Sequence, residues 1–161
     1  DISEYKVELM QENFNRCHLN KAKAVAWDAL EPDERWLGQA DVVIADIPCS
    51  GLGVIGRKRD IKYKMTPQAV QDIVELQEKI LKVAASYVKK GGKLLFSTCT
   101  VNKDENEAHV KWIQDTLKMT SVSLNETLPE LVHFRTTQQG FVQLIPGMQD
   151  TDGFFISVFE K

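Results

Sequence analysis

The six residues Asp41–Asp46, DVVIAD, constrain the fold more than any other stretch of the chain. Near-continuous apolar, β-branched side chains leave neither face of a strand to water, which is the pattern of a parallel sheet covered on both sides. The run then breaks into IPCSGLG (47–53), placing a proline, a cysteine and two glycines directly after an acid. KLLFST (93–98) repeats the arrangement and runs into Cys99. Between the two, Thr66 and Pro67 read as the N-cap and first residue of a helix. Its apolar positions Val70, Ile73, Leu76, Ile80, Ala84 and Val88 recur at helical spacing, and KKGG (89–92) is expected to end it with cations and a glycine stop.

The remaining segments extend the same architecture. Ser3 is expected to cap a first helix that places Val7, Met10, Phe14 and Cys17 on one inward face, with Cys17 in the core. KAVAW (23–27) reads as a short strand and PDERWL (32–37) as a turn or single helical turn. Asn102 and Glu105 resemble a capping box opening a helix through Trp112, Ile113 and Leu117. SVSLNET (121–127), GFVQLIP (140–146) and GFFISVFE (153–160) have strand composition, the last two joined through turn residues as a hairpin. Helices alternating with strands, then a hairpin, describe an α/β sheet with an antiparallel end. Ligands of such open sheets bind outside the carboxyl ends of the strands, where Asp28, Asp46, Cys49 and Cys99 all fall.

The 161 residues suffice for one domain with a sizeable core, and a net charge of −3 does not by itself announce a nucleic-acid partner. Three widely spaced cysteines without a C-x-x-C pair speak against a zinc knuckle or a disulfide framework, and point to a reducing, cytosolic setting. No apolar run near about twenty residues and no signal-peptide pattern occurs, which argues against membrane insertion. The chain opens at Asp1 almost directly in a helical pattern, and is expected to be a fragment.

Taken alone, Cys49 or Cys99 is better explained by a small buried hydrophobe than by a reactive thiol. Each, however, follows a buried strand rather than lying within one, and each is flanked by hydroxyl residues: Ser50 in one case, Thr98 and Thr100 in the other. Asp46 could bond a backbone N–H of its own turn or orient a polar ligand. The segment GRKRDIKYK (56–64) sets Arg57, Lys58, Arg59, Lys62 and Lys64 against Asp60, either as a solvated loop or as a phosphate contact beside the Asp–Cys turn. His109 and His133 have no metal-ligand company in the sequence.

D-I-P-C-S-G-x-G-V-I with D-I-K-Y after it resembles motif IV of the RNA cytosine-5 methyltransferases, and S-T-C-T with K-D-E-N-E resembles their motif VI. The ending LIPGMQDTDGFFISVFEK is similar to that family's closing strand, and the likeness is greatest to the bacterial 16S rRNA branch of the Sun/Fmu (RsmB) type. The resemblance implies a Rossmann-like class I S-adenosylmethionine-dependent methyltransferase sheet. It implies methyl transfer to C5 of a cytosine in RNA through a covalent cysteine–C6 adduct. Cys99 would be the attacking thiol, Cys49 the releasing one, and Asp46 a group facing base and cofactor. Asp1 and Asp28 match cofactor positions, and Arg57, Lys58, Arg59 and Lys62 would face RNA. A thiolate suits this chemistry, since it adds reversibly to C6 and turns C5 into a nucleophile.

The family's glycine-rich cofactor loop and first strand precede the position matched by Asp1. Residues 1–161 therefore resemble the C-terminal portion of a catalytic domain, with no internal boundary. In the family's strand order, two strands would lie between KAVAW and DVVIAD, leaving a gap of about 14 Å with unpaired edges and apolar faces. The chain is thus expected to fold with a companion N-terminal piece of the same protein. A tRNA cytosine-5 methyltransferase, a non-catalytic RNA-binding or assembly protein, and a thiol hydrolase are the rival readings. The last has no histidine placed in a motif to activate either thiol.

Overall fold

The computed structural model describes residues 1–126 and 128–161. Its strands are β1 (Ala40–Asp46), β2 (Val88–Thr98), β3 (Thr120–Ser121), β4 (Phe141–Leu144) and β5 (Phe154–Glu160). They form one sheet in the order β1-β2-β5-β3, with β4 lying along β5 in line with β3. β1 and β2 are parallel, whereas β5 pairs antiparallel with β2, β3 and β4. This is the expected α/β sheet with a closing hairpin.

One face of the sheet is covered by two helices, α3 (Pro67–Tyr87) and α4 (Glu107–Leu117), preceded by α1 (Glu4–Arg16) and the single turn α2 (Ile61–Lys64). Thr66 accepts the N–H of Ala69 and Pro67 opens α3, as the sequence predicts. Leu81, Ala84 and Ala85 of α3 and Val110 and Ile113 of α4 enclose Leu94, Phe96, Phe155 and Phe159 from alternate positions of the strands. The opposite face behaves otherwise. Val42 and Ile44 of β1 are 57% and 69% exposed, although their sequence demands a covered sheet.

Several local expectations are corrected. KAVAW is extended but is not a strand: among the described residues its one backbone ladder partner is Asp1, through Trp27 N–H to Asp1 C=O at 3.0 Å and Asp1 N to Val25 C=O at 3.4 Å. One residue cannot sustain a ladder, and α1 begins directly after it. Cys17 is exposed rather than in the core. Its N–H closes α1 on Asn13 C=O, and His18 turns the chain with φ of 56°, so the cysteine leaves the half-buried face of Val7, Met10 and Phe14.

KKGG does not end α3, which passes straight into β2 at Val88. The two glycines instead host a bulge where the β1–β2 register shifts, with Gly91 at φ of 75° and a Cβ on Gly92 only 2.9 Å from Asp41 C=O. The capping box is also absent. Asn102 accepts the N–H of Asp104 in a local turn, Asn106 stands at the N-cap of α4, and Glu105 turns inward. Of SVSLNET only Ser121 is strand, because Leu124 folds into the core and Asn125 accepts the Thr137 hydroxyl at 2.6 Å. Thr127, the last residue of that expected strand, lies outside the described residues.

Candidate active site

Parallel pairing of β1 and β2 sets Asp46 opposite Ser97, and one further bond, Ile47 N–H to Ser97 C=O, carries the ladder past the strand ends. The two chains then turn at the same edge of the sheet. Cys49 and Cys99 face each other there with their sulfurs 3.4 Å apart, both half-buried. Asp46 is exposed at the same edge, its Oδ1 accepting the Ser97 hydroxyl at 3.1 Å. The three residues assigned to chemistry from sequence are thus brought together by register alone.

The turns are held by close backbone approach. Gly53 N–H donates to Cys99 C=O at 3.0 Å, and Gly153 N–H donates to Gly53 C=O at 2.8 Å. A Cβ on Gly53 would stand 2.7 Å from Cys99 C=O, and one on Gly153 would stand 2.6 Å from Gly53 Cα. Only glycine fits where the 52–54 turn is sandwiched between the Cys99 turn and the start of β5.

Beneath the thiols lies a buried polar cluster that the sequence analysis missed. The Glu105 carboxylate accepts Ser50 N–H at 2.8 Å, the Ser50 hydroxyl at 2.5 Å, the Thr100 hydroxyl at 3.3 Å and the Gln77 amide at 3.1 Å. The Ser50 and Thr100 hydroxyls also meet at 2.7 Å, and Gln77 donates to Pro48 C=O at 2.9 Å. Asn106 accepts the Thr98 hydroxyl at 2.6 Å and donates to Thr100 C=O at 3.0 Å, joined there by Gln143. The hydroxyl residues flanking each cysteine carry the signal in the sequence, whereas Glu105, three residues after Asn102, resembles a helix cap.

Burial, together with the Cys99 sulfur beside it, pushes the Cys49 thiol up to about 12, against a smaller downward pull from Gly51 N–H. Near neutral pH Cys49 is therefore a neutral thiol. His109 packs edge-on to Phe96 and Trp112, its Nδ1 3.0 Å from Glu105 C=O, and burial lowers its pKa. It is a core histidine supporting the Glu105 turn.

The remaining sequence candidates lie apart. Backbone pairing brings Asp1 and Asp28 to neighbouring chain ends in the N-terminal region. Asp1 Oδ1 accepts Ser3 N–H and Asp28 Oδ1 accepts Leu30 N–H, each at 2.9 Å, which leaves acceptor capacity on both carboxylates. Each carboxylate can therefore still accept from a hydroxyl or amine donor. Arg57 is ion-paired with Asp152 at 3.0 Å, tying the basic loop to the turn before β5. Lys58, Arg59 and Lys62 are exposed, with Lys62 over the ring of Tyr63.

The family model described as 16S rRNA methyltransferase RsmB/F matches residues 1–160. A probable ribosomal RNA small subunit methyltransferase B of Bacillus subtilis is 38% identical over all of this chain, which spans 36% of that relative. The ribosomal RNA small subunit methyltransferase F of Escherichia coli is 29% identical over all of the chain, which spans 34% of it. Among solved structures, NSun6 from Pyrococcus horikoshii with SFG superposes with a TM-score of 0.75 at 24% identity, covering all of this chain and 40% of that one.

Proposed function

The chain belongs to the RsmB/F family of 16S rRNA methyltransferases, and on that premise we propose that the protein containing it transfers a methyl group from S-adenosylmethionine to C5 of a cytosine in RNA. The names of the relatives point to small-subunit ribosomal RNA as the substrate. The observation that carries the chemistry is the pair of thiols 3.4 Å apart beside Asp46 at the carboxyl ends of two parallel strands.

S-adenosylmethionine, when bound, supplies the methyl group as an electrophile; the NSun6 structure, solved with SFG, accords with a cofactor site in this fold. Asp1 and Asp28 would hold its ribose and adenine side, and Asp46 would face both cofactor and base. The division of labour between the thiols is the one the family resemblance implies, and the surroundings of Cys49 support it. Cys49, with its pKa raised to about 12, rests as the neutral thiol and does not compete for the base. Cys99 adds to C6, forming an S–C6 bond as the C5–C6 double bond opens. Asp46 hydrogen-bonds the pyrimidine edge where the displaced electron density collects. Once C5 carries the methyl group, Cys49 gives its own proton to solvent, the thiolate so formed takes the C5 proton, and the C–H electron pair expels Cys99 as thiolate. A thiol so hard to ionise is a correspondingly strong base when it does. The exposed Arg57, Lys58, Arg59 and Lys62 would contact phosphates flanking the target.

Residues 1–161 are the C-terminal portion of the catalytic domain in this reading, working in the cytoplasm with an N-terminal portion of the same protein. The test is the full-length protein with S-adenosylmethionine and unmodified 16S rRNA. Wild type yields 5-methylcytosine and Cys99→Ala yields none. Full activity in Cys99→Ala would sink the assignment.

A further inference from the structure

We propose that Glu105 is the positioning residue that sets the two thiols in register for adduct formation and release. The inference rests on the methyl transfer proposed above. Its basis is the sequence positions of the donors to this one buried carboxylate. Ser50, whose N–H and hydroxyl both reach Glu105, directly follows Cys49, and Thr100, whose hydroxyl reaches it, directly follows Cys99. Gln77 carries the same link to the other side of the first turn by donating to Pro48 C=O as well as to Glu105. One side chain therefore references both cysteine turns from beneath, while Gly53 N–H on Cys99 C=O references them from above.

The arrangement is costly in a way that indicates a demanding site. Glu105 and Gln77 are fully buried. Orienting the Gln77 amide nitrogen toward Pro48 and Glu105 leaves its Oε1 buried without a partner among the described residues. Four donors converge on the carboxylate, and the two that cannot accept, Ser50 N–H and the Gln77 amide, share Oε2. Replacing Glu105 by glutamine keeps the size but turns the charge-assisted bonds into neutral ones and makes the Ser50 and Thr100 hydroxyls reverse to accept from the new N–H₂, so the tie between the two turns loosens. Cys99 must reach C6 and Cys49 the proton on the adjacent carbon, so a small displacement of either turn acts first on the bond-making steps.

The experiment uses the full-length protein, with single-turnover methyl transfer measured at saturating 16S rRNA and S-adenosylmethionine. Competent sites are counted separately with RNA carrying 5-fluorocytosine, which halts as the covalent adduct because fluorine cannot leave as a cation. Glu105→Gln is expected to lower the rate per competent site about 100-fold. The half-saturating concentrations of both substrates should stay within about twofold of wild type. A purely structural role would instead reduce the number of competent sites and leave the rate of each unchanged, and that result overturns the inference. Should Glu105→Gln fail to fold, Thr100→Val removes a single donor at constant size. It is expected to slow transfer about tenfold by the same readout, and an unchanged rate would be equally fatal. Wild type unable to methylate RNA, or Cys99→Ala still active, overturns the proposed function and this inference together. Normal wild type and inactive Cys99→Ala beside a fast Glu105→Gln overturns only the inference.

Discussion

Cys49 and Cys99 sit in nearly identical sequence contexts, each after a buried strand and before a hydroxyl residue, and the roles proposed for them differ. The raised pKa of Cys49 predicts that its alkylation by iodoacetamide in the native protein keeps accelerating from pH 8 to beyond about pH 10, followed by peptide mass spectrometry. A plateau near the ordinary thiol value would contradict the assignment. The same shift bears on stability. A thiol whose folded pKa lies above its ordinary value of 9.0 contributes fully below pH 9, and that contribution is lost as pH rises toward 12. Cys49→Ala should therefore flatten the alkaline fall of the urea midpoint relative to wild type. Glu105 shows where sequence reasoning ends at this scale. A glutamate three residues after Asn102 matches a capping box, and only the sheet register reveals that Ser50, 55 positions earlier, offers it a better set of donors.

At the scale of elements, local chemistry was legible wherever neighbours in sequence decide the outcome. Thr66–Pro67 starts α3 and Ser3 starts α1, because a cap needs only the next three residues. Thr66→Ala should cost about 1 kcal/mol in urea denaturation and leave methyl transfer unchanged, the cap being on the helix and not at the thiols. KAVAW and KKGG could not be read the same way. A strand depends on a partner from elsewhere, and a glycine pair serves a bulge as readily as a helix stop. The most consequential element contact is Gly53 on Gly153, invisible from either DIPCSGLG or TDGFF alone. Gly53→Ala is expected to destabilise the full-length protein by about 1–3 kcal/mol and to slow methyl transfer, since the added Cβ would press on the carbonyls of Gly153 and of Cys99 itself. Wild-type stability in that variant would mean that the turn has room to spare.

For the molecule as a whole, the exposure of Val42 and Ile44 on β1 stands against a sequence that calls for burial on both faces. The chain spans about a third of the length of the two curated relatives compared above, 36% and 34%. We propose that the rest of the catalytic domain lies against this face and edge. The amides of β1 should then exchange faster in isolated 1–161 than in the full-length protein, which is also the form expected to melt cooperatively. Equal protection in both would show that the sheet is complete without further strands. The central claim, that the attack belongs to Cys99 and the release to Cys49, is tested most directly by one measurement. Full-length Cys49→Ala is incubated with 16S rRNA and S-adenosylmethionine, digested, and the RNA-bearing peptide identified by mass spectrometry. The account predicts a trapped adduct joining Cys99 in the FSTCT peptide to C6 of a methylated cytosine. Release of product as fast as in wild type with no adduct, or an adduct on any other residue, would contradict it.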